Sequence, residues 1–139
     1  MRFMMIIYRG PDSYASDKAA EIRDVAAFEE MGKYNDQLKK AGVLLAMDGL
    51  TPPAMGARFT YKGGKPKVID GPFPESKEVI GGYWMIEVKS REEALEWASR
   101  IPCMDGGMVE VRRVVEISDF APEIQKRFAE KGAKLGQQR

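Results

Sequence analysis

The sequence predicts an α+β domain, a ferredoxin-like βαββαβ repeat with an inserted β-hairpin and a C-terminal helix. Three observations predict it. Two apolar runs, Phe3 to Tyr8 and Tyr83 to Val88, the second interrupted only by Glu87, read as strands covered on both faces. They fall at the first and third strand positions of the repeat, which are central in its usual sheet order. Each is followed by a segment with apolar residues at helical spacing. Finally, Gly63-Gly64 between two short strand-like segments marks a two-residue hairpin.

Taken in order, the first strand is broken by Gly10, Pro11, Asp12 and Ser13. From about Asp17 to Ala41 the composition is helical, with Ala27, Met31, Tyr34, Leu38 and Ala41 along one face. The stretch is long, so either it is one helix or Asp24 caps a second segment. Gly42 ends it. Val43 to Met47 is the second strand, leading through Asp48-Gly49-Leu50 to Pro52 and Pro53, which stop pairing. Arg58 to Lys62 and Lys65 to Ile69 form the hairpin, whose lysines and Pro66 place it outside the main sheet. After the rigid turn Asp70 to Pro74, Val79 to Val88 is the third strand. Ser90 and Glu93 make a capping box for a helix with Ala94, Trp97, Ala98 and Ile101 on one face, closed by Pro102. Val109, Val111, Arg113, Val115 and Ile117 alternate with Glu110, Arg112 and Glu116 as a half-exposed fourth strand. Asp119 and Pro122 then open the last helix. The chain of 139 residues reads as one domain, with a core of about residues 1–118 and a C-terminal helix of about 119–135.

Composition excludes several chemistries. The 22 basic and 21 acidic residues leave a net charge of +1, so no general field draws nucleic acid or anionic membrane. Arg112-Arg113 is too small a patch to argue otherwise. One cysteine, Cys103, forbids an intramolecular disulfide, and with no lysine or histidine beside it to lower its pKa it reads as inert. The expected compartment is the cytosol. The first residues stop at Arg9, too short an apolar run for a signal peptide, and no run approaches the ~20 residues that span a bilayer. Histidine is absent, which rules out serine–histidine and cysteine–histidine catalysis and HExxH sites. No metal site and no cofactor are expected.

Any acid or base must therefore be a carboxylate with a raised pKa, or a tyrosine, lysine or cysteine with a lowered one. Asp48 follows an apolar strand and precedes Gly49. It is either a partly buried carboxylate of the kind a general base needs, or a turn cap. Asp70 ends a strand at a Gly-Pro turn, where aspartate commonly bonds the backbone two residues on. It also begins a run of alternating charge, with Glu75, Lys77 and Glu78 beside Phe73 on a segment stiffened by Pro72 and Pro74. Such a loop can present an acid, a base and a cation to one ligand, or it is a solvated charge run. Tyr8 and Tyr83, on the central strands, can project into a cleft as donors. Gly81-Gly82 lacks the spacing of a phosphate loop and reads as a bulge or a close backbone approach.

The run Asp70-Gly71-Pro72-Phe73-Pro74-Glu75-Ser76-Lys77-Glu78 closely resembles the DGPFAETKE signature of the DGPF family, within the YCII-related superfamily. Ala41-Gly42-Val43-Leu44, Gly81-Gly82-Tyr83-Trp84 and Val109-Glu110-Val111-Arg112 agree in order, so the resemblance spans about residues 3–117. It implies a protomer that pairs into a dimeric α+β barrel with a cleft near the signature. The residues point the same way, because helices cover one face of such a sheet and a partner subunit is the simplest cover for the other. Some YCII-like relatives carry a histidine–aspartate pair proposed to be catalytic, and with no histidine in this chain that mechanism does not carry over. Where family members carry glutamate in a GEGL-like run, this chain has Asp48, on a shorter stem. The expected function is a homodimer binding or transforming a small organic molecule. Asp70 and Asp48 are then the candidate catalytic residues, and Tyr8, Phe73, Glu75, Lys77, Glu78 and Tyr83 the candidate ligand contacts. Feasible reactions are proton transfer, isomerisation or elimination on a carboxylate base, or cofactor-free oxygen chemistry. The alternative, also implied by the resemblance, is a non-catalytic regulatory partner of an extracytoplasmic-function sigma factor.

Overall fold

The computed structural model describes residues 1–9, 24–71, 79–103 and 105–136. Its elements are β1 (Arg2–Arg9), α1 (Val25–Lys40), β2 (Leu44–Gly49), β3 (Ala57–Lys62), β4 (Lys65–Asp70), β5 (Val79–Glu87), α2 (Arg91–Ser99), β6 (Met108–Arg113) and α3 (Pro122–Lys131). Four strands form one antiparallel sheet in the order β2-β5-β1-β6, and β3 pairs with β4 in a separate two-stranded sheet. This is the ferredoxin-like order, with the two most apolar strands, β1 and β5, in the centre as expected.

Local signals explain the boundaries. Asp24 is the N-cap of α1, its Oδ1 accepting from the Ala27 amide at 3.0 Å. That selects the capped-segment reading, and Asp17 to Arg23 lie outside the described residues. Gly42, at φ 71°, takes the left-handed conformation that terminates the helix. Ser90 caps α2 by accepting from the Glu93 amide at 3.1 Å. The Glu93 carboxylate reaches back to the Lys89 amide, one residue further than in a capping box. Gly63 and Gly64 have φ of 59° and 77°, as a tight hairpin turn requires.

Two expectations at the C-terminal end are corrected. The last strand stops at Arg113, not Ile117, because β1 begins at Arg2 and offers no further partner after the Val114 amide bonds the Arg2 carbonyl. Asp119 does not open α3. It closes a 3₁₀ turn over Ile117–Asp119, accepting from the Glu116 amide at 2.8 Å and holding Arg113 through two bonds of 2.6 and 2.9 Å. The Arg113 guanidinium, then the Glu116 amide, bring the Asp119 pKa down to about 2. Helix α3 starts at Pro122 behind Ala121, without a side-chain cap.

The core lies on one face of the sheet. Phe3, Met5 and Ile7 of β1 and Trp84 and Ile86 of β5 point toward α1 and α2, meeting Tyr34, Leu38, Ala94 and Trp97. Met5, Leu38 and Ile86 are fully buried, and each such side chain contributes roughly 1.5–3 kcal/mol by leaving water. Tyr34 stands edge-on to Trp84 and Trp97 and donates to the Trp97 carbonyl at 2.7 Å. Its burial pushes the phenol pKa up to about 12, Arg100 opposing weakly. Among the described residues, no helix is long and apolar enough to cross a membrane.

Candidate functional site

The other face of the main sheet carries neither α1 nor α2. Strand alternation and register put Met4, Ile6 and Tyr8 of β1 there. They lie beside Tyr83 and Met85 of β5, and Glu110 and Arg112 of β6. Asp48 of β2 stands opposite Tyr83. The register makes one row across four strands: Asp48, Tyr83, Ile6, Glu110. Three strand spacings separate its ends by about 14 Å. Met4 and Met85 form the next row, so two acidic ends flank an apolar floor.

Each end is a phenol–carboxylate pair. Tyr83 Oη donates to Asp48 Oδ2 at 2.9 Å. Tyr8 Oη donates to Glu110 Oε1 at 3.4 Å, and Arg112 Nη1 donates to Glu110 Oε2 at 3.3 Å. The Asp48 carboxylate, by accepting from Tyr83 and then by its charge, raises the Tyr83 phenol above its ordinary pKa. At neutral pH Tyr83 is therefore a donor and not a phenolate. Asp48 keeps lone pairs for a second donor or for a proton, which is the equipment of a binding site for a donor group or of a carboxylate base.

The glycines read from sequence hold this arrangement. Gly81 is the extra residue of a bulge, since Ile7 pairs with Gly82 and Tyr8 with Ile80. Gly82 passes against β2, where a Cβ would stand 2.8 Å from the Asp48 carbonyl oxygen. Both readings, a bulge and a close approach, apply, one to each residue. The bulge skips Gly81 and sets Ile80 opposite Tyr8, which stays on the Ile6 face by the alternation of β1.

Of the residues singled out from sequence, Tyr8, Tyr83 and Asp48 lie on this one face. Asp70 is the exposed last residue of β4, opposite Ala57 in the separate sheet, and Asp48 bonds Tyr83. Phe73, Glu75, Lys77 and Glu78 lie outside the described residues. Glu110 and Arg112 are additions that the sequence reading passed over. Their signal was the alternation of β6, which reads as a solvent face until the sheet order sets it beside β1. Among the described residues, no three histidine, cysteine, aspartate or glutamate side chains are grouped as a metal site would need.

Fold and face together define an α+β protein with a ferredoxin-like fold and a polar row on the sheet side away from α1 and α2. A family model, the YCII-related domain, matches residues 1–118, and the chain belongs to that family. It is also 26% identical over 98 residues to an uncharacterised protein of Rhizobium meliloti (strain 1021), covering 70% of this chain and 77% of that one.

Proposed function

We propose that the protein is a DGPF-type member of its family, pairs with a second copy through the open sheet face, and binds a small organic molecule there. The row Asp48–Tyr83–Ile6–Glu110 carries this reading, because two phenol–carboxylate pairs about 14 Å apart on an apolar floor suit a ligand with an apolar body and a donor group. The donor belongs at Asp48. Covering the face takes both carboxylates out of water, and Glu110 already has Arg112 at 3.3 Å whereas Asp48 has a neutral phenol. Where chemistry follows binding, Asp48 is the base and Tyr83 its positioning partner. Asp70 and the signature segment stand as further candidates at the cleft.

Mass spectrometry of the native protein, with extraction of any co-purifying molecule, tests this directly. Asp48→Asn should weaken that binding at least about tenfold while leaving the melting temperature nearly unchanged, since Asp48 is exposed in the protomer. It should also bring the Tyr83 phenol back toward its ordinary pKa in an absorbance titration, because the charged acceptor is gone. Large destabilisation with binding intact would make Asp48 a turn-forming residue and remove the site. Recovery of a stoichiometric sigma factor and no small molecule would replace ligand binding by regulation.

A further inference from the structure

The β3–β4 hairpin is a two-faced ribbon. Its register puts Phe59, Val68, Tyr61 and Pro66 on one side, and Arg58, Lys62, Lys65 and Lys67 on the other. Every residue of both strands is exposed, Phe59 by 57%, Tyr61 by 72% and Val68 by 52%. A two-stranded hairpin standing alone is marginal in water, and a contiguous apolar strip on one marks a contact surface. Charge indicates what it meets. Residues 57–70 hold four basic residues and one acidic, Asp70, while the other 18 basic and 20 acidic residues give the rest of the chain a net charge of −2. A second copy therefore offers the ribbon an oppositely charged body.

The ribbon's root points to the same partner. Gly71 donates to the Gly56 carbonyl at 3.0 Å and closes the base, where a Cβ on Gly71 would fall on the Pro53 carbonyl. Just before the root, the Leu50 amide bonds the Gly81 carbonyl at 2.9 Å, so the ribbon leaves from the end of the main sheet where Asp48 and Tyr8 lie. The open four-stranded face has a projected area of only about 400 Å², and one ribbon face about 200 Å². A stable dimer buries roughly 800 Å² of accessible surface per partner, and a ribbon given and a ribbon received double the ground that the sheet face alone covers.

We infer that the β3–β4 ribbon is an arm that clasps a second copy of this chain, its Phe59–Tyr61–Val68 strip covered by the partner while the net positive charge of the ribbon draws it toward the oppositely charged copy. The inference rests on the reading that the open sheet faces pair. Its test compares the full chain with the double variant Phe59→Ser/Val68→Ser in sedimentation equilibrium, and places a benzophenone photo-cross-linker at position 61. The wild type should be a dimer at micromolar concentration, the double variant should dissociate at least about tenfold more readily, and irradiation should give a product of twice the 15.6 kDa chain mass. A dimer that the double variant leaves equally tight, with cross-links confined to one chain, overturns the arm and leaves sheet-face pairing intact. A wild type that stays monomeric to about 100 µM, far above the micromolar range at which an interface of standard size holds, overturns both. Cross-links formed only to added duplex DNA overturn the arm in favour of a nucleic-acid ribbon.

Discussion

Replacing Gly82 by alanine, with Gly81→Ala as its control, tests how the site is built. Neither glycine has a positive φ, so both positions admit an alanine backbone and the outcome depends on space. At Gly82 the new Cβ would lie 2.8 Å from the Asp48 carbonyl oxygen and 3.3 Å from the Gly49 Cα, both in the main chain of β2. At Gly81 it would meet Nε and Cδ of Arg9 at 2.7 and 2.9 Å, the outer part of an exposed side chain that can swing away. Overpacking against backbone costs about 1–3 kcal/mol, partly offset by the ~0.4–1 kcal/mol that alanine saves in unfolded-state entropy. Gly82→Ala should thus destabilise by about 1–2 kcal/mol and Gly81→Ala by close to nothing. Urea unfolding resolves the difference as a lower midpoint with an unchanged slope. The same displacement draws Asp48 from Tyr83, so the Tyr83 phenol should titrate closer to its ordinary value in Gly82→Ala alone. Equal midpoints, or a larger loss in Gly81→Ala, would refute the claim that Gly82 is there to let β2 approach.

Two pH limits follow from other groups. Tyr34 is buried with its folded pKa near 12 against about 10 unfolded, so the stability it supports is complete below pH ~10 and falls by about 3 kcal/mol as pH rises through 12. Tyr34→Phe should lose about 1–3 kcal/mol at neutral pH, because the Trp97 carbonyl loses its donor, yet show no such alkaline decline in denaturant titrations; an identical alkaline limb would contradict this. Asp119 behaves oppositely: its folded pKa of about 2 lies below the unfolded value near 4, so the stability from its Arg113 pair is complete above pH ~4 and disappears as pH falls through 2. Thermal melts of Asp119→Asn across that interval should show a flatter acid limb than the wild type, and superimposable limbs would remove the pair from the acid response.

The fold was legible where sequence and sheet position impose the same demand. Phe3 to Tyr8 and the Tyr83 run had to be apolar on both sides to sit in the centre of the sheet, and that requirement is visible without coordinates. Caps were legible for a similar local reason: Asp24, Ser90 and Gly42 each satisfy or terminate backbone groups within four residues. The end of β6 was not, because Val115 and Ile117 keep the strand alternation while the partner strand has already run out. That limit belongs to β1, more than a hundred residues away in sequence. Asp119 was misplaced for a related reason, since a turn aspartate near a proline suits a helix cap and only the position of Arg113 draws it elsewhere.

The site follows the same division. Asp48 and Tyr83 could be named separately as a carboxylate and a phenol near strand ends, but their meeting depends on β2 pairing with β5 across 35 residues. Glu110 and Arg112 were harder still, because an alternating charged residue on an edge strand ordinarily faces water. What changes their meaning is the neighbour, since β1 is apolar on both sides and turns Ile6 toward Glu110. An acidic residue beside the floor of a hydrophobic strand has one side in water only while the face is open. Its chemistry is therefore set by whatever closes that face, and this is why composition could exclude histidine-based mechanisms outright yet could not assemble the row that takes their place.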